Sequence, residues 1–269
     1  MSLRDRRADV LELGNLRELL PLSPFQRPSE AEGDGAANFA LPTVIGAEVA
    51  RALSQEIITL RFEPGFRLTE EEICSRYGVS RSPVREAFKA LEADGLIIRS
   101  ARRGVRVTPI SRQDLDEVYS CRAALEGLAA AGAALNPDRA IEAELAEFID
   151  ALEPAIAARN IPEFFKNSVA FTSAIHRHCA NKTLTRILEG IDKQARRYRY
   201  LAHTWTHEML EVSLQNYREV REAIVLQNAP MAQRRATRMI RRAHRIIARA
   251  LTEAYPALDR GDAPPRGAP

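Results

Sequence analysis

Apolar residues along this chain change their spacing twice, and each change marks a boundary. Val44, Ile45, Val49, Leu53, Ile57 and Ile58 recur three or four apart, the period of one helix face, and stop before Pro64-Gly65. Thr69-Glu70-Glu71-Glu72 then has the form of a capping box, in which the Thr69 hydroxyl accepts from the Glu72 amide. It opens a short helix through Ile73 and Tyr77 that Gly78 closes. Ser82-Pro83 starts a third helix, with Val84, Ala87, Phe88 and Leu91 as its buried stripe and Asp94-Gly95 as its stop. Two extended runs follow, Leu96 to Arg99 and Gly104 to Val107, joined by Ser100-Ala101-Arg102-Arg103, and these predict a β-hairpin.

From Ser111 to Tyr255 the helical period runs almost unbroken. Interruptions near Asn136-Pro137, Asn160-Ile161-Pro162, Asn181, His203-Thr204 and Asn228-Ala229-Pro230 divide it into about six long helices. The predicted fold is therefore mainly α: a winged helix-turn-helix over residues 42–110 and an all-α bundle over 111–255. Residues 1–41 are expected to be a flexible leader, although Leu11, Leu13, Leu16 and Leu19 could form a short amphipathic helix. Residues 256–269 form a Pro/Gly tail expected to stay disordered, and no internal repeat is present.

Composition narrows the classes further. With 269 residues, 45% of them hydrophobic, the chain can bury a substantial core; aromatics at 6% and abundant helix formers argue against an all-β protein. The net charge is only +3, so any contact with nucleic acid must come from local clusters. Cys74, Cys121 and Cys179 are scattered and odd in number, which fits reduced thiols better than disulfides or a zinc knuckle. There is no apolar run of membrane-spanning length and no secretory signal, so the expectation is a cytoplasmic protein without a membrane partner.

A hairpin after a helix-turn-helix is a wing, and this one carries Arg102 and Arg103 beside Gly104. The second helix of the pair would expose Arg81, Arg85 and Lys89. Arginines at the start of such a helix can read guanine edges in a major groove, while hydroxyls and helix N-terminal amides fix phosphates. A winged helix used only for protein contacts is the alternative.

The string PGFRLTEEEICSRYGVSRSPVREAFKALEADGLIIRSARRGVRVTPIS resembles the DNA-binding domain of the GntR family of bacterial transcription regulators, and VSRSPVREAFKALEADGLI matches almost throughout. The helical region resembles the FadR-type subgroup, whose helical (FCD) C-terminal domain binds a small effector. Together the two resemblances cover about residues 43–252. They imply operator contacts from Ser80, Arg81, Ser82, Arg85 and Gly104, with Lys89, Arg102 and Arg103 alongside. Glu71 stands where the family often supplies an arginine to DNA. The resemblance also implies a homodimer on palindromic double-stranded operator DNA, acting as a repressor that its effector releases.

YSCRAALEGLAA resembles the opening helix of that effector domain, where an arginine often faces the ligand cavity. Arg122 is thus the first candidate for an anion partner; its alternative is a buried pair with Glu126 at i+4. Many members hold a divalent metal there with one Asp and three His. Set against that pattern, Ser168, Thr172, Tyr217 and Met239 stand at those four positions, and such side chains make a poor metal site at neutral pH. The expectation is a cavity with no metal and no cofactor, offering three hydroxyls and a soft methionine wall; a shift of one helical turn would bring in His176. Arg235 and Arg242 flank the Met239 face and, with Arg196, Arg197 and Arg199, point to a small anionic effector such as an organic acid. Ordinary pairing with acidic helices is the bland alternative. Three rivals remain: a metal-dependent effector site, an acyl-thioester effector, and an enzyme in the helical domain. No nucleophile, paired-carboxylate or phosphate-loop arrangement supports the enzyme.

Overall fold

The computed structural model describes residues 42–100 and 104–254. Small polar side chains start most of its helices. Helix α1 spans Pro42–Ile58, and α2 (Glu70–Tyr77) begins where the Thr69 hydroxyl accepts from the Glu72 amide, 3.2 Å away, and ends on Gly78 at φ 66°. That left-handed backbone costs a glycine little and any other residue more. Helix α3 runs Arg81–Ala93. In the second half come α4 (Arg112–Leu135), α5 (Ala140–Ala157), α6 (Ile161–His178), α7 (Lys182–Trp205), α8 (His207–Val225) and α9 (Ala229–Ala254). Ser111, Asn160, Asn181 and Asn228 cap α4, α6, α7 and α9 with their side-chain oxygens. Helix α7 continues through the expected break at His203-Thr204 and ends at Trp205, with Thr206 separating it from α8.

The wing is a three-stranded antiparallel sheet in the order β1-β3-β2. Strands β2 (Ile97–Ser100) and β3 (Gly104–Val107) form the hairpin, with Ile97 opposite Val107 and Ser100 opposite Gly104. Strand β1, Arg67–Leu68, pairs with Arg106 and Val105 and was not foreseen, because two residues are too few to show an alternation. Residues 1–41, 101–103 and 255–269 lie outside the described residues, and with them the leader, the tail and the wing-tip arginines Arg102 and Arg103.

Two hydrophobic cores result. Val49, Leu53, Ile57, Ile73, Val84, Phe88, Leu91, Leu96 and Val107 pack together in the first. The second is built around α4, whose Ala129, Ala130, Ala133 and Ala134 are fully buried. Small residues let the neighbours come close: a Cβ on Gly132 would collide with the Cys179 carbonyl, and one on Gly127 with Thr237. Helix α7 joins the cores. Lys193 Nζ lies 2.8 Å from Asp94, just past α3; the Arg197 guanidinium donates to the Thr108 carbonyl; the Tyr198 hydroxyl donates to the Ser111 carbonyl at 3.2 Å.

His203 of α7 is buried with neither of its ring nitrogens hydrogen-bonded among the described residues. It is 2% exposed and stands edge-on to Phe164 with ring centroids 4.9 Å apart. Burial, reinforced by the Arg199 charge, pushes its pKa well below 6.5. Its ring is therefore neutral in the folded protein at pH 7, and stays so on mild acidification.

Gly132→Ala, whose new methyl meets rigid backbone, loses about 1–3 kcal/mol in urea unfolding. Gly190→Ala, on an exposed stretch of α7 with nothing within 4 Å, gains up to about 1 kcal/mol. Below pH 6.5 the unfolded chain takes up a proton that folded His203 refuses, so the stability present above pH 6.5 falls as the pH drops toward 5. The slope is at most about 1.4 kcal/mol per pH unit. His203→Leu should flatten that part of the profile, each protein being referred to its own value at pH 7.

Candidate functional site: a basic helix face and a buried charged cavity

The amphipathic pattern of α3 puts Pro83, Val84, Ala87, Phe88 and Leu91 into the first core and leaves the opposite face to solvent. Ser80, Arg81, Ser82, Arg85 and Lys89 are all exposed there, with the three basic residues at successive i, i+4 positions. Ser80 is the N-cap but makes no side-chain capping bond. Arg85 Nε donates to Glu70 Oε1 at 2.9 Å, and this hydrogen bond holds the Glu70 carboxyl below its ordinary value. Lys89 pairs with Glu86 at 2.9 Å. Such exposed pairs are worth little and exchange readily for a stronger partner. Gly104 opens β3 at φ 70°, exposed at the wing. Glu71 is exposed in the first turn of α2.

Inside the bundle, α4, α6, α7, α8 and α9 line a partly open cavity of ≈ 20 Å³, room for about one water. It brings together four of the expected residues, Arg122, Thr172, Tyr217 and Met239, and adds Arg199, Ser213 and Asn216. Tyr119 and the apolar Met209, Val212, Ile240 and Ala243 complete its wall. Ser168 is fully buried just behind, donating to the Phe165 carbonyl at 2.8 Å and hydrogen-bonded to Tyr217, whose ring packs on Phe171. Arg242 is exposed on α9 and does not line the cavity. Arg235, seven residues earlier, is tied to the Glu219 carbonyl and the Glu222 carboxylate of α8.

A chain of buried charges backs this wall. Arg122, 1% exposed, donates to Glu126 at 2.8 Å, stands 3.6 Å from Asp192, and lies over the Tyr119 ring. The buried pair that sequence left as an alternative thus exists. Glu126 also meets His176 Nε2 at 2.9 Å. Asp192 accepts from Arg196 at 2.7 Å and has Arg199 at 4.0 Å. Burial opposes the Asp192 charge, but Arg199, Arg122 and Arg196 outweigh it and hold the carboxyl at about 2. Tyr119 and Tyr217 are pushed up by burial, so both remain neutral donors. Arg122 Nε, Arg199 Nε and Nη2, and the Tyr119 hydroxyl have no hydrogen-bond partner among the described residues.

The donor set does not fit a divalent metal. The Ser168 and Thr172 hydroxyls are engaged with carbonyls of their own helix, and neither Tyr217 nor Met239 supplies an anionic ligand at neutral pH. His176 is occupied by Glu126, and His203 lies against Phe164 and Phe165. Among the described residues no group of three or more His, Cys, Asp or Glu could hold an ion. Nor is any described helix long and apolar enough to cross a membrane.

Comparison with known proteins agrees with both halves. Residues 45–107 match the model of the bacterial regulatory proteins of the gntR family, and residues 117–255 match the FCD domain. The HTH-type transcriptional regulator YdhC of Bacillus subtilis (strain 168) is 31% identical over 195 residues, covering 71% of this chain and 85% of that one. The probable D-xylose utilization operon transcriptional repressor of Paenarthrobacter nicotinovorans is 32% identical over 144 residues, 54% of this chain and 63% of that one. Among solved structures, a GntR regulator from Rhodococcus sp. RHA1 superposes with a TM-score of 0.64 at 26% identity, over 75% of this chain and 96% of that one. A gntR-type winged helix-turn-helix followed by an FCD bundle is what these residues build, and the chain belongs to the GntR family of transcription regulators, in its FadR-type, FCD-containing subgroup.

Proposed function

We propose that this regulator is a homodimeric repressor that reads a palindromic, double-stranded operator with residues 42–110. Residues 111–255 hold a small anionic metabolite that controls operator affinity, without a metal or other cofactor and without catalysis. Ser80, Arg81, Ser82, Arg85 and Lys89 on α3 and Gly104, Arg102 and Arg103 in the wing are the DNA contacts of this reading. Arg122, Thr172, Tyr217 and Met239 form the effector wall. Ser168 supports Tyr217 from behind, and the exposed Arg242 takes no part. One winged helix makes few contacts, whereas two on a palindrome double them. Repression is the role named for the D-xylose operon relative.

The observation that carries the regulatory reading is the position of α7. The helix presents Arg199 to the cavity, and six residues earlier it ties Lys193 to Asp94 at the end of α3. An effector that prefers one seating of α7 therefore changes how α3 is presented to DNA, by no more than its preference between the two seatings.

Fluorescence anisotropy on an operator selected from random duplexes tests the DNA-reading half. Arg81→Ala should weaken operator binding by about 1–3 kcal/mol while changing binding to unrelated DNA far less. Glu70→Gln, which frees Arg85 and removes a negative charge facing the phosphates, should tighten operator binding a few-fold at low salt. Equal losses on all sequences from Arg81→Ala would sink the base-reading role and leave only phosphate contact.

A further inference from the structure

One cross-strand pair in the wing runs against the physics of sheets. Arg67 on β1 stands directly opposite Arg106 on β3. Like charges in that relation repel and destabilise an antiparallel ladder. The two guanidiniums fare differently. Arg106 is half-buried, and its Nη1 donates to the Gly65 carbonyl at 2.9 Å. Arg67 is exposed and has neither a hydrogen bond nor an ion pair among the described residues. The other basic side chains of residues 42–110 are mostly committed. Arg51, Arg76, Arg85, Lys89 and Arg99 each pair with a glutamate. Arg61 lies toward the bundle, close enough to Tyr200 of α7 for its charge to act on that hydroxyl. That leaves Arg67 and Arg81, which opens α3, as the described cations turned neither to a protein acceptor nor to the bundle.

The Arg67 side chain runs toward the wing tip. Its Nε is 3.9 Å from the point where a Cβ on Gly104 would stand, and Gly104 is the first described residue after the tip. The next residue, Leu68, is buried opposite Val105 and anchors the strand. From there the chain passes through the Thr69 cap to Glu70, which accepts from Arg85 on α3. Arg67 thus stands on a paired strand between the wing tip and the helix pair. It lies on the sheet and not on the helix that would enter a groove, so the chemistry within its reach is the phosphodiester backbone and not a base edge.

We propose that Arg67 is a further DNA contact, its guanidinium gripping a backbone phosphate beside the wing tip. This rests on the reading of residues 42–110 as the operator-reading domain and adds a contact to it. A planar guanidinium fork suits a phosphate. The phosphate charge also offsets the repulsion across the β1–β3 ladder, so a pair that costs stability in the free protein is compensated on DNA. Such a contact carries no sequence information and serves to set the wing on the duplex.

Fluorescence anisotropy of the full-length protein on the selected operator and on an unrelated duplex, between about 50 and 200 mM salt, tests this. Arg67→Gln should weaken binding to both by about 10-fold at the low end. The slope of log affinity against log salt should become shallower by about 0.9 for each protomer bound. Arg67→Lys, which keeps the charge, should keep most of that slope. DNA-free Arg67→Gln should melt no lower than wild type, because it ends the repulsion with Arg106. The proposal is overturned if Arg67→Gln binds with wild-type affinity and slope, which would leave Arg67 as a charge guarding the sheet edge. It is overturned too if the loss is confined to the operator, if the slope does not change, or if the variant melts well below wild type. Arg81→Ala separates the two readings. If it loses operator affinity while Arg67→Gln loses none, the DNA-reading domain stands and only this contact falls; if wild type binds neither duplex, both fall.

Discussion

Asp192 is the residue on which the interior of the bundle turns. It is 2% exposed and surrounded by Arg122, Arg196 and Arg199, from two different helices. Removing one partner from such a cluster leaves an uncompensated charge in a poorly solvated place, which typically costs about 3–5 kcal/mol. The cluster therefore fixes how α4 and α7 sit against each other more firmly than the alanine-rich packing alone would. It also leaves a guanidinium edge without a hydrogen-bond partner among the described residues, in a chamber that five helices share. Stability and the proposed ligand chemistry thus draw on the same carboxylate.

Helix α7 makes that arrangement matter outside the bundle. Along a short stretch it contributes Asp192 to the cluster, Lys193 and Arg197 to the winged domain, and Arg199 to the cavity. These side chains leave one helix in different directions, and this is the geometry on which the proposed coupling rests. The polar contacts of α7 to the winged domain are a part-buried ion pair and a hydrogen bond to the Thr108 carbonyl, and Leu60 and Ile110 add apolar contact with the bundle core. A joint of that kind can be re-formed at modest cost, which is what a switch needs. The exposed Arg85–Glu70 pair has the same character, holding an arginine proposed to meet DNA without burying it.

Much of this was legible in the sequence where the signal is local. Thr69 and Gly78 bound α2, and the i, i+4 spacing of Arg122 and Glu126 announced their pairing as one of two options. Long-range partners left no such trace. His176 reaches Glu126 from 50 residues away, and Asp192 joins the cluster from another helix, so no spacing rule connects them. Arg196, Arg197 and Arg199 look alike in the sequence, yet they end at the surface, the domain joint and the cavity respectively. Arg242 illustrates the reverse: its distance from Met239 along the helix suited the cavity, but it sits on the solvent side of α9.

The central claim is that α7 couples the cavity to the DNA-reading domain. Amide hydrogen exchange on full-length protein, with and without a small organic anion that binds it, tests it most directly. The account predicts altered exchange in α7 and the cavity wall, and also around Asp94, Gly95 and Thr108, which α7 touches in the winged domain. Changes confined to the cavity-lining turns of α8 and α9, with the winged domain and its joint untouched, would contradict it.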